Sequence, residues 1–145
     1  MNYSGKRSAI VIGAAIVLAL IAVVFLAARP AADRNSPAAL TSAETTERFW
    51  SDLRARRTED SYALTSANFK AKTDPEQFRI FAEQVNQQLP PGELQLISQE
   101  AGLDAAETIV FQVEGEGVAF QLAAEVKLEN GRWQVEGVQV MSRTE

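Results

Sequence analysis

Apolar residues follow three different patterns along this chain. From Ala9 to Ala28 they are continuous, with only Gly13 interrupting them. From Thr41 to Leu89 they recur every three or four positions, and from Leu94 onward they alternate with polar ones. These patterns predict a span, then helices, then strands.

The continuous stretch is 20 residues long. As a helix rising about 1.5 Å per residue it covers about 30 Å, the thickness of a bilayer's hydrocarbon core. Lys6 and Arg7 precede it, which places residues 1–8 in the cytoplasm and the rest outside, although Arg29 and Arg34 on the other side dilute the bias. The alternative is a cleaved signal peptide releasing a soluble secreted domain. Its apolar region is usually about 7–15 residues and ends in a small-x-small site. Here the region is longer, and the exit Phe25-Leu26-Ala27-Ala28-Arg29-Pro30 has no clean Ala-x-Ala. Ala15 and Ala19 form a small-xxx-small pair of a kind common in such spans. Residues 29–40, with two prolines and no apolar period, read as a linker.

A domain is expected over 41–141, followed by a tail at 142–145. Thr41 and Glu44 have capping-box spacing, and Phe49, Trp50 and Leu53 give that helix an apolar face. Arg54, Arg56 and Arg57 close it, where cations suit the negative end of the helix dipole. Thr58 is expected to cap a short second helix carrying Tyr62 and Leu64, with Phe69 in a following loop. Asp74-Pro75 opens a third, in which Phe78, Phe81, Ala82, Val85 and Leu89 share a face, and Pro90-Pro91-Gly92 ends it.

The rest predicts four strands: one around Leu94 and Leu96, one with Ile109, Phe111 and Val113, a long one from Val118 to Leu128, and one from Trp133. Asn130-Gly131 suits a type I′ hairpin turn, setting Leu128 opposite Trp133 and Val126 opposite Val135. A turn at Gly115-Glu116 would set Val113 opposite Val118, Phe111 opposite Phe120 and Ile109 opposite Leu122. Beyond Val135 the alternation slips by one residue. A β-bulge at Glu136-Gly137 restores it, with Val138 opposite Ala124 and Val140 opposite Leu122. The opposite sheet face is polar or small, so one face meets helices and the other meets water or a partner. The expected fold class is therefore α+β: a transmembrane helix, then three helices on one face of a curved four-stranded antiparallel sheet.

Composition narrows the chemistry. The net charge of −5 argues against a nucleic-acid binder. With no cysteine and no histidine, disulfides, thiolate sites and the usual histidine-based catalysis are excluded. Residues 90–145 carry 3 basic and 10 acidic groups, which points the sheet toward a basic partner or away from anionic lipid. Glu114, Glu116, Glu125, Glu129 and Glu136 read as a solvated acidic surface, without calcium-binding spacing.

The phrases Phe49-Trp50-x-x-Leu53, Tyr62-x-Leu64-Thr65 and Asn130-Gly131-Arg132-Trp133-Gln134-Val135 resemble the nuclear-transport-factor-two-like (cystatin-like) superfamily over about residues 41–141. That resemblance implies a cone between helices and sheet. It admits isomerases, dehydratases, ligand binders and interaction modules, including membrane-tethered assembly factors of secretion systems.

Enzymes of that kind place a carboxylate and hydrogen-bond donors in the cone. The inward sheet positions here hold no ionisable group, leaving Asp52, Asp60 and Tyr62 as the helical candidates. The leading expectation is thus a membrane-tethered, non-catalytic extracytoplasmic binding or assembly module, with a protein partner or a second copy and no cofactor or metal. Its partner face would include Gln112, Gln121, Glu125 and Gln134. The alternative is a small-molecule or isomerase-like pocket bounded by Trp50, Tyr62, Phe69, Phe111, Phe120 and Trp133. Arg54, Arg56 and Arg57 are candidates for an anion or a lipid headgroup.

Overall fold

The computed structural model describes residues 10–12 and 39–144. In chain order the elements are β1 (Ile10–Ile12), α1 (Ser42–Arg54), α2 (Thr58–Ala63), α3 (Ala67–Lys72), α4 (Pro75–Gln88), β2 (Gln95–Ala101), β3 (Ala106–Gly115), β4 (Val118–Glu129) and β5 (Arg132–Thr144). The strands form one antiparallel sheet in the order β1-β5-β4-β3-β2.

Four helices stand where three were expected. The segment holding Phe69 is helical, because the Ser66 hydroxyl accepts the Phe69 N–H at 3.0 Å and starts α3. Helix α2 begins after Arg57, with Thr58 as its first residue and not its cap. The two long helices have reciprocal caps. Thr41 Oγ1 accepts from Glu44 N at 3.2 Å while Glu44 Oε2 accepts from Thr41 N at 2.7 Å. Asp74 and Gln77 do the same for α4, with Pro75 in its first turn.

Most of residues 9–28 lie outside the described residues. Of that expected span only Ile10–Ile12 is described, and it is extended along β5 with Val11 opposite Gln139. Three β-branched residues suit an open sheet edge, which offers unpaired backbone groups. Among the described residues no helix is long and apolar enough to cross a membrane.

The hairpin turns explain the register. Asn130 and Gly131 both have positive φ, 51° and 75°, as a type I′ turn requires. Leu128 pairs with Trp133 and Val126 with Val135. In the other hairpin the left-handed pair is Glu116 and Gly117, at 53° and 78°. The turn therefore sits one residue later than Gly115-Glu116, and each pairing moves by two. Val113 faces Phe120, Phe111 faces Leu122 and Ile109 faces Ala124. A shift of two keeps every side chain on its expected face.

The bulge falls at Glu136, with Glu125 opposite Gly137 and Val126 opposite Val135. Val138 then faces Ala124 and Val140 faces Leu122, and both are buried. The extra residue turns Glu136 toward α3, where Ser66 Oγ and Asn68 Nδ2 donate to it at 2.8 and 3.1 Å. Nearby, Thr65 bridges Val135 in parallel, with Ser66 N and Val135 N each donating across the pair at 2.9 Å. Strand β5 continues to Thr144, past the domain end expected at 141.

The helices cover one face of the sheet. Phe49, Trp50 and Leu53 of α1 and Phe78, Phe81 and Val85 of α4 pack over Ile109, Phe111, Val113, Leu122, Val126 and Val135. Each such side chain contributes about 1.5–3 kcal/mol when fully buried. Among the described residues this core runs from Phe49 to Val140.

The sheet has two distinct ends. At one, α1 begins beside the β2–β3 and β4–β5 turns: Ser42 Oγ donates to Glu107, and Gln99 Nε2 donates to Ser42 Oγ at 3.1 Å. At the other, Arg54 Nη2 donates to Gly92 O at 2.6 Å, and the β3–β4 turn follows Gly115.

Candidate functional site

The sheet face opposite the described helices is built by register. Val110, Ala123 and Gln139 form one row across β3, β4 and β5, and Gln112, Gln121 and Met141 form the next. None of the six is charged. Charges begin at the following rows, with Glu114 on one side and Glu125 on the other. Ala123 is buried and the other five are half-buried. An uncharged centre inside a charged rim is the usual anatomy of a protein interface. Of the expected partner face, Gln112 and Gln121 sit directly opposite each other at this centre. Glu125 is opposite the bulge, and Gln134 is paired with Lys127 near the end where α1 begins.

The six residues expected around a pocket lie in or against the core. Trp50, Phe69 and Phe111 are buried; Tyr62, Phe120 and Trp133 are partly buried and pack onto them. Phe49 meets Trp50 edge-on at 5.0 Å, and Tyr62 lies 5.1 Å from Phe78. The Tyr62 hydroxyl donates to Thr73 O at 2.8 Å, which ties α2 to the start of α4. Within this packing the Trp50 indole N–H is buried and has no acceptor among the described residues.

A cleft of about 930 Å³ opens elsewhere, between α2 and α4, lined by Arg56, Arg57, Tyr62, Arg79 and Asn86 among others. Its cations are mostly engaged. Arg79 bonds Glu76 and Glu83 along α4. The Arg79 guanidinium holds the Glu76 carboxyl below its ordinary value, and Glu76 raises Arg79 in return. Arg57 donates from Nε and Nη2 to Asp52 Oδ1, at 2.8 and 2.6 Å. Asp60 also lines the cleft but is exposed.

The three arginines after α1 therefore do not converge. Arg54 holds the carbonyls of Pro90 and Gly92, Arg57 neutralises Asp52, and Arg56 lines the cleft in a left-handed conformation with φ 62°. Asp52 is buried as the enzyme reading requires, but against Arg57 and Arg48. The sequence gives little warning of the cleft, whose walls come from separate charged segments with no motif of their own.

No family model matches the chain, and no curated protein or solved structure matches it.

Proposed function

We propose that this chain is a single-span membrane protein with a cytoplasmic amino end and an extracytoplasmic domain of the nuclear-transport-factor-two-like superfamily. We further propose that the domain works as a binding or assembly module without catalysis. Support comes chiefly from the outer sheet face, where two successive rows carry no charge within a charged rim. The helix-covered face supports the same reading, since its aromatic residues fill the core. The span and strand β1 use the same residues and exclude each other. A bilayer would draw Ile10–Ile12 off the β5 edge, because about 20 apolar residues gain far more in hydrocarbon than three gain in a ladder.

The test uses the full chain in its native membrane, with a photo-crosslinking amino acid at Gln121 and, as a control, at Lys72. The expected result is a discrete protein adduct from Gln121 that disappears with Gln112→Arg and is absent from Lys72. An adduct at twice the chain's own mass identifies the partner as a second copy. Equal labelling from both positions refutes the sheet-face assignment.

A further inference from the structure

We infer that the sheet end holding the β2–β3 and β4–β5 turns rests on the lipid bilayer, with the Leu103 side chain inserted into it. The inference rests on the anchor proposed above and adds an orientation of the domain that an anchor alone does not require.

Three observations carry it. The first is where the chain leaves the domain. Helix α1 starts at the same end as these turns, held there by Ser42, Gln99 and Glu107. Only residues 29–38 separate the expected span from the described domain. A flexible chain of ten residues has an end-to-end distance of about 17 Å. Strand β4, with 12 residues, is about 40 Å long. The tether is thus short relative to the domain and keeps this end nearest the bilayer.

The second is apolar exposure. Leu103 is 87% exposed, the highest value among the large apolar residues described, and Leu40 and Leu128 of the same end are 37% and 41% exposed. Single exposed leucines are ordinary, but these three all lie at the end where the tether arrives. Trp133, opposite Leu128, is half-buried beside them, and tryptophan favours the headgroup level.

The third is rigidity. Asp104 and Ala105 both adopt left-handed backbone, with φ 55° and 57°. Gly102 N donates to Ala106 O at 2.8 Å, and Leu128 N donates to Ala105 O at 3.1 Å, joining the two turns. Leu103 is therefore presented by a fixed scaffold and loses little freedom on insertion.

Charge decides the lipid. The two turns carry Asp104 and Glu129 against Lys127 and Arg132, with Glu100 and Glu107 close behind. The contact is apolar insertion, and anionic headgroups do not strengthen it.

The native chain has no cysteine, so single cysteines can be labelled without background. Full-length Leu103→Cys, Ala15→Cys and Glu116→Cys are each labelled with an environment-sensitive fluorophore. Each is reconstituted in phosphatidylcholine vesicles with nitroxide lipids as quenchers. The expected result is quenching at positions 15 and 103 but not at 116. Leu103→Asp should lower the quenching of a label at Leu128→Cys by roughly tenfold. Replacing part of the lipid by phosphatidylglycerol should leave the quenching unchanged or weaker. Quenching at 15 with none at 103 overturns the inference and leaves the anchor standing. No quenching at 15 overturns the anchor and the orientation with it. Stronger quenching on anionic lipid overturns the apolar mode of contact.

Discussion

Removing the Arg57 side chain should destabilise the domain through a carboxylate it never leaves. The Asp52 side chain is only 7% exposed, and both Arg57 donors meet its Oδ1, the closer at 2.6 Å. Its Oδ2 has no hydrogen bond, and Arg48 stands 3.7 Å away. Breaking a buried pair from one side costs about 3–5 kcal/mol, because the remaining charge is stranded. Here the guanidinium is 55% exposed and Arg48 remains, so solvent and the second cation reduce the loss. Arg57→Ala is thus expected to cost about 2 kcal/mol, or roughly 10 °C in Tm for a domain of this size. Asp52→Asn keeps an acceptor for Arg57 and removes the charge, so it should cost about 1 kcal/mol or less. The double variant should lie close to Asp52→Asn, because no carboxylate is then left unpaired. Urea unfolding of the full chain in detergent, followed by far-ultraviolet circular dichroism, measures all three. Strict additivity of the two single effects, within about 0.5 kcal/mol, would refute the reasoning.

Other expectations can be read by the same unfolding assay. A Cβ on Gly115 would lie 2.3 Å from Pro90 Cβ, so Gly115→Ala should cost about 1–3 kcal/mol, and an unchanged midpoint would contradict the close approach. Glu116 holds a left-handed conformation that asparagine adopts more readily, so Glu116→Asn should raise stability by about 0.5 kcal/mol. The Thr41 backbone N–H lowers the Glu44 carboxyl, and Arg79 lowers Glu76. Both stabilise the fold above their ordinary value of 4.5 and stop doing so as pH falls through the lower folded value. Glu44→Gln should therefore show a shallower loss of stability than the native chain on acidification below about pH 5. Val11→Cys with Gln139→Cys should form a disulfide in the membrane-free chain, since the two residues are paired, and should fail to form it in vesicles. A bridge formed equally well in vesicles would contradict the span.

The β4–β5 hairpin and its bulge were legible in the sequence because Asn130-Gly131 fixes one end, and the slip of parity at Val138 then allows only one repair. The β3–β4 register was legible to the face but not to the pair. Glycines flank Glu116 on both sides in Gly115-Glu116-Gly117, and Glu116 itself takes a left-handed position. Helix α3 was hidden because six residues hold a single large apolar side chain, Phe69, too few to show a period. Its Ser66 cap was the available signal. Strand β2 broke its alternation because it is an edge strand with the register shifting around Ile97, leaving Leu96 and Ile97 about half exposed. The aromatic candidates were found as a group, and the structure places them in or against the core. The pairing of Arg57 with Asp52 was not legible, since their spacing of five residues matches no helical contact and depends on the chain reversing after α1.

The division of the core between an early helical part and a late sheet bears on how the chain is made. Phe49 is synthesised 91 residues before Val140, and both belong to the same core. At about 5–20 residues per second, the apolar face of α1 waits roughly 5–20 seconds, and that of α4 roughly 3–12 seconds, for the last of the strands that cover them. Until then the helices can bury part of that surface against each other, as Phe49 does against Phe78, 6.0 Å apart, and Tyr62 against Phe78. The sheet side of the core is completed only when the last strand has been made, so the long-range contacts between Phe49 and Val140 are among the latest this domain can form.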